Sequence, residues 1–203
     1  IHNLNYFRAK LRPGVRLVAM VKAGSYGAGD FEVAQMLRHQ GVHWLAVAFA
    51  DEGVLLRERG ITMPVVVLNA DEGSFDAMVP ARLEPEIYNF RSLRDFAAAC
   101  ARYGERHYPI HLKLDTGMHR LGFMEEEIDR LCEVLPLRPE VKVATVFSHL
   151  NCADMPEEDA YTRAQIARYD RMSTRLVEAL PYPVIRHTAN SAAICLLYTS
   201  DAA

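Results

Sequence analysis

Lys22 sits in the setting most suited to covalent chemistry. It follows Met20 and Val21 at the end of an apolar run and precedes AGSYGAGD at 23–30, a glycine-rich turn leading into a helix. An amine carried from an apolar strand into a cavity is desolvated, and desolvation favours its neutral, nucleophilic form. That is what a lysine needs to bond a carbonyl carbon. The same residues equally describe a lysine snorkelling from a strand end, beside glycines that only make the turn tight. Three further segments carry groups that could serve a site. HLKLDTGMHRLG at 111–122 offers Arg120, whose guanidinium stays charged at any working pH and presents several donors in one plane; otherwise Asp115 and Arg120 form a solvent-exposed pair. His149, in FSHL at 147–150, is a pocket residue or a hydrogen-bonded core histidine. HTANSAA at 187–193 puts Asn190 and Ser191 at a helix start, where taken alone they read as a simple helix cap.

Residues scattered this widely need strands to bring them forward. Short apolar runs at 16–21, 44–49, 65–68, 86–88, 110–114, 143–147 and 184–186 read as buried strands. Between them, 31–38, 52–59, 92–103, 125–135 and 160–180 have helical spacing, and 3–11 reads as a helix ahead of the first strand. Strand followed by helix, repeated, predicts a parallel α/β protein. Periodicity alone leaves a (β/α)₈ barrel and a doubly wound open sheet both standing. In the barrel the catalytic face is the carboxyl end of the strands, where Lys22, Arg120, His149 and Ser191 would all fall.

Composition narrows the partners. The chain has 203 residues, half of them hydrophobic, so it can bury a core of its own. A net charge of −3 with scattered Lys and Arg argues against a nucleic-acid surface and favours a small-molecule partner. No apolar run is long enough to span a bilayer and no signal-peptide pattern opens the chain, which predicts a cytoplasmic protein. Cys100, Cys132, Cys152 and Cys195 are widely spaced, which indicates neither a metal site nor a disulfide framework.

VKAGSYGAG resembles the pyridoxal phosphate (PLP) lysine segment of alanine racemases, whose usual form is VKADAYGHG. The resemblance implies that Lys22 holds PLP covalently and acts as one of two catalytic bases, and that Tyr26 binds the cofactor phosphate. Gly24 stands where Asp or Asn is usual, and Ala28 where His is usual. HLKLDTGMHRLG is similar to the family's LKxDTGMxRLG, implying that Arg120 donates to the PLP phenolic oxygen and that Lys113, carbamylated in some members, supports it. FSHL with Ala153 and Asp154 resembles THxxxAD, implying that His149 lies against the pyridine ring. HTANSAA resembles HxANSAA, implying cofactor contacts from Asn190 and Ser191 together with backbone amides at the phosphate. The four segments come in family order, and the resemblance runs from about Asn3 to Ile194.

The implied fold is α/β, the (β/α)₈ TIM-type barrel of the alanine racemase N-terminal domain, truncated to about seven of its eight strands and without the C-terminal β domain. Residues 1–194 would be a partial PLP-binding barrel domain. The implied activity is interconversion of L- and D-alanine, supplying D-alanine for peptidoglycan, in a homodimer whose second base is a tyrosine from the partner's C-terminal domain. The residues given would then show little activity alone. Three other readings share the fold: a non-catalytic PLP-binding protein of the homeostasis type, whose lysine segment does not resemble KxxxYGxG, an amino-acid decarboxylase, and a barrel enzyme without PLP, favoured only if Lys22 is unreactive. LAVAFADEGVLLRERGI at 45–61 and LEPEIYNF at 83–90 also resemble the racemase half of Bacteroidetes fusions that carry a MurF-type ligase upstream. The final CLLYTSDAA at 195–203 matches a translated sequencing adapter and is expected to be non-native.

Overall fold

The computed structural model describes residues 1–196, with Leu196 as backbone only. Seven strands form one sheet: β1 Val18–Met20, β2 Trp44–Val47, β3 Val65–Val67, β4 Glu84–Ile87, β5 Tyr108–Lys113, β6 Val141–Phe147 and β7 Ile185–His187. The helical elements are α1 His2–Lys10, α2 Lys22–Tyr26, α3 Asp30–His39, α4 Ala50–Glu58, α5 Phe75–Met78, α6 Phe90–Arg102, α7 Ile128–Val134, α8 Asp159–Glu178 and α9 Ser191–Leu196. The strand order is β1-β2-β3-β4-β5-β6-β7, each strand beside its successor. Pairing is parallel for β1 with β2, β2 with β3, β3 with β4 and β6 with β7. A doubly wound sheet reverses its winding at a switch point. Unbroken sequential order is the winding of a β/α barrel, and it decides between the two architectures that periodicity left open.

The chain divides into two compact units. One comprises 16–111 and 139–142. Its core is built where Leu45, Val47, Val65, Val67, Ile87 and Ile110 alternate along the strands and meet Leu56, Leu93 and Phe96 from the helices. Phe75, Phe96 and Tyr108 meet edge to face, with centroids 5.1 and 5.4 Å apart, and the Tyr108 hydroxyl donates to the Leu83 carbonyl at 3.0 Å. Burial pushes the Tyr108 phenol upward, and it pushes the Cys100 thiol on α6 up to about 12. The other unit comprises 1–15, 112–138 and the chain from Val143 onward. There Leu112, Leu114, Val146 and Phe123 pack with Leu131 of α7 and Tyr169, Met172 and Leu176 of α8.

All seven expected strands are present, and their limits differ in ways that packing explains. β4 starts at Glu84, ahead of the expected 86, with a half-buried Glu84 and a buried Glu86 as polar residues inside the strand. Glu84 accepts from Trp44 Nε1 at 3.2 Å and lies 2.7 Å from His111 Nε2, so its carboxylate is paired on this face. α4 begins at Ala50 with Glu52 at its third position, where the carboxylate reaches back to the Phe49 amide at 3.2 Å. The helix expected over 125–135 is a 3-10 turn, α7 and a second 3-10 turn that contains Pro136. The segment read as a foreign tail includes Cys195 and Leu196, which close α9; its remainder, 197–203, lies outside the described residues.

Candidate functional site

The segment after β1 is left-handed. Val21 still pairs with the neighbouring strand, its amide donating to the Ala46 carbonyl at 2.8 Å. Lys22 then leads into Ala23, Gly24 and Ser25 at φ/ψ of 51/49, 59/42 and 55/45, with Tyr26 at φ 57. The amides of Ser25 and Gly27 donate four residues back, to Val21 and Ala23, at 3.0 and 3.1 Å. This is one turn of a left-handed helix. For the non-glycine residues such backbone costs about 1–2 kcal/mol each, and it is held because the turn makes its own ladder. The geometry also explains a departure from the family pattern. Position 24 requires the left-handed region, which Gly, Asn and Asp tolerate best, so Gly24 and the usual Asp or Asn meet one backbone demand. Ala28 is exposed.

The turn sets two of the expected residues side by side. Lys22 is half-buried, and its Nζ lies 6.0 Å from the centroid of the Tyr26 ring with no hydrogen bond or ion pair among the described residues. Tyr26 is 68% exposed. Ser25 is buried, and its Oγ has no hydrogen-bond partner.

In the other unit the loop after β5 is shaped by two glycines and one carboxylate. Asp115 Oδ1 accepts from the amides of Gly117 and His119 at 2.9 and 3.1 Å. The chain then returns so that the Asp115 amide meets the Phe123 carbonyl and the Phe123 amide meets the Lys113 carbonyl, each at 2.9 Å. Gly122 has φ +135, and a β-carbon there would stand 2.4 Å from the Asp115 nitrogen. The family-type spacing DTGMxRLG is therefore a backbone prescription as much as a chemical one. Arg120 rides on this loop, exposed and with no partner among the described residues. The exposed Asp115–Arg120 pair is not formed: Asp115 is buried and turned into its own loop.

Lys113 is 6% exposed, and its Nζ is 4.6 Å from the centroid of Phe147. Phe147 stacks on His187 with centroids 5.0 Å apart and planes 2° apart. A buried lysine is thus screened by a ring face. Sequence reasoning does not single out His187, although it opens HTANSAA; its one signal is its place at the end of β7. His149 follows β6 and is half-buried. Its carbonyl accepts from Gln165 Nε2 at 3.3 Å, and Gln165 Oε1 accepts from the Asn151 amide at 3.0 Å, so one side chain of α8 brackets the turn that carries the imidazole. No sequence signal marks Gln165 beyond its helical position.

Asn190 is committed within the protein. Its Oδ1 accepts from the Ala193 amide at 2.9 Å, capping α9, and its Nδ2 donates to the Leu150 carbonyl at 3.1 Å. Ser191 is exposed at the first turn of α9, and the buried Thr188 Oγ1 lacks a partner. Lys22, Arg120, His149 and Ser191 each follow the carboxyl end of a strand, β1, β5, β6 and β7 respectively. Among the described residues no group of three or more His, Cys, Asp or Glu could hold a metal, and no helix is long and apolar enough to cross a membrane.

Sequential β/α winding with a lysine at the end of the first strand defines the class: a TIM-type β/α-barrel protein, with seven strands among the described residues. The family model for the alanine racemase N-terminal domain matches residues 1–202, and the chain belongs to that family. It is similar to the alanine racemase of Symbiobacterium thermophilum, 38% identical over 204 residues that take in 96% of this chain and 53% of the relative. A solved alanine racemase of Clostridium difficile 630 in complex with cycloserine superposes with a TM-score of 0.88 at 32% identity, covering 95% of this chain and 53% of that one. The fold is shared, at 22% identity and a TM-score of 0.82, with an alanine racemase from Bartonella henselae solved with covalently bound pyridoxal phosphate, covering 98% of this chain and 56% of that one. The chain spans about half the length of these relatives.

Proposed function

We propose that the protein carrying this chain interconverts L- and D-alanine with PLP held covalently at Lys22. The observation that carries the reading is the Lys22 amine, half-buried at the carboxyl end of β1, uncommitted to any protein acceptor, and presented with the Tyr26 phenol on one left-handed turn. The uncommitted donors suit an anionic, aromatic aldehyde: a free amine at Lys22, a phenol at Tyr26, a partnerless guanidinium at Arg120 and an open hydroxyl at Ser191. When bound, PLP supplies an electron sink for the substrate α-carbon.

Each residue has its own part. Lys22 Nζ would hold the cofactor covalently and, once displaced by the substrate amine, would be the free amine that takes or returns the α-proton on one face. Tyr26 Oη and Ser191 Oγ, with backbone amides, donate to the phosphate. Arg120 donates to the phenolic oxygen and, being permanently charged, keeps that oxygen anionic. His149 would face the cofactor ring, and Lys113 would support the Arg120 loop from within the core. Asn190 joins the cofactor residues by placing the first turn of α9, since both ends of its amide are already engaged. A second base comes from a partner subunit in a cytoplasmic homodimer, so residues 1–203 by themselves turn over little alanine. D-alanine made this way supplies peptidoglycan.

The test is absorbance with PLP before and after borohydride, then peptide mapping of the reduced adduct, on the native protein and its Lys22→Ala variant. Label on Lys22 that is absent from the variant supports the reading. Label elsewhere, or none on a folded native protein, refutes it.

A further inference from the structure

Glu52 has a bonding pattern that α4 alone does not require. Its Oε2 accepts from the amides of Ala48 and Phe49 at 2.7 and 3.2 Å, which seats the helix start on the end of β2. Its Oε1 crosses to β1 and accepts from the Ala23 amide at 2.6 Å. Ala23 is the first left-handed residue after Lys22, so this bond fixes the peptide joining the two. A lysine's reach is set by the direction in which its Cα–Cβ bond leaves the chain, and that direction is set by the peptide planes on either side. The plane before Lys22 is held by the Val21 carbonyl, which accepts from the Ser25 amide at 3.0 Å; the plane after it is held by Glu52. Hydrogen bonds to a charged acceptor are the stronger kind, and the one at Ala23 opens a turn that non-glycine residues do not favour.

We propose that Glu52 is the positioning residue of the lysine turn: its carboxylate clamps the carboxyl ends of β1 and β2 together and thereby orients Lys22. The catalytic consequence rests on the function proposed above for Lys22, while the structural clamp does not.

Glu52→Gln is the sharper probe. An amide has one acceptor oxygen, which keeps two bonds if it faces Ala48 and Phe49; its NH₂ then meets the Ala23 amide, donor against donor. Glu52→Ala removes all three. In the PLP-loaded protein, amide exchange at Ala23 should accelerate at least about tenfold in both variants, and borohydride-trapped labelling of Lys22 should slow by a similar factor. kcat should fall more than KM changes, because the amine is displaced while the substrate groups elsewhere are untouched. Unchanged exchange at Ala23, or unchanged Lys22 labelling once Ala23 is released, overturns the proposal. Should Glu52→Ala fail to fold, the isosteric Glu52→Gln gives the same readings. A native protein that takes no label on Lys22 refutes the racemase reading instead, and exchange at Ala23 still decides whether the clamp exists.

Discussion

Replacing Gly122 with alanine sets a methyl group against main chain that cannot swing aside. The added carbon would lie 2.4 Å from the Asp115 nitrogen, 2.6 Å from the Leu114 carbonyl carbon and 3.1 Å from the Asp115 Cα. All three belong to backbone, and that backbone is pinned by the Asp115–Phe123 and Leu114–Phe147 hydrogen bonds at 2.9 and 2.8 Å. The φ of +135 adds its own cost for any L side chain, about 1–3 kcal/mol. Forcing a methyl into filled space adds about 1–3 kcal/mol more. Gly60 is the matched control: its φ is +85, and a methyl added there would have nothing within 4 Å. Gly60→Ala therefore bears the conformational cost alone. Urea unfolding of the two variants beside the native protein should show Gly122→Ala the less stable by roughly 1–3 kcal/mol. Equal stabilities would refute the steric argument for the loop that carries Arg120.

Three further outcomes are expected. Cys100 has a thiol pushed by burial from 9.0 to about 12, so the folded state keeps its proton where the unfolded chain loses it; stability should fall as pH rises from about 9 toward 12, by up to about 1.4 kcal/mol per pH unit from this group. Thermal melts across that range check it, and a Cys100→Ala variant should show the shallower slope. Gln165→Met removes both bonds around His149 at nearly constant volume and should cost about 1–3 kcal/mol, with faster amide exchange at Asn151; an unchanged exchange rate there would show that Gln165 does not hold the turn. Asn190→Ala uncaps α9 and should cost about 0.5–2 kcal/mol, read by urea unfolding, with PLP affinity falling because the Ser191 turn loosens; unchanged affinity would detach Asn190 from the cofactor.

What was legible in the sequence was short-range. β3 and β6 stand where runs of Val predicted them, because β-branched residues buried on both faces announce a parallel strand. The strand-end segments at Lys22, Arg120, His149 and Ser191 were visible because their residue types are dictated by local backbone: Gly122 by a close approach, Gly24 by a left-handed φ, Asn190 by a cap. The start of β4 was hidden by Glu84 and Pro85, whose types argue against a strand while their partners across the sheet stabilise one. α5, a single turn, is too short for periodicity to register. The left-handed turn was not foreseeable from Ala23, Ser25 and Tyr26, none of which favours that region. Glu52 and Gln165 act 29 and 16 residues away from the groups they hold, a relation that only the fold creates.

The left-handed turn bears on the order in which the molecule comes together. A right-handed helix or a hairpin can flicker into being from its own residues, but this turn runs against the preference of Ala23, Ser25 and Tyr26 and has an outside tether on α4. Its own amide ladder is joined by a tether from Glu52, 29 residues further along the chain. The full set of bonds around Lys22 therefore needs Glu52 and the start of α4 seated on the end of β2. On the proposed function, the orientation in which Lys22 would capture a carbonyl is therefore set only in the folded sheet, and labelling of Lys22 would report that this stage has been reached.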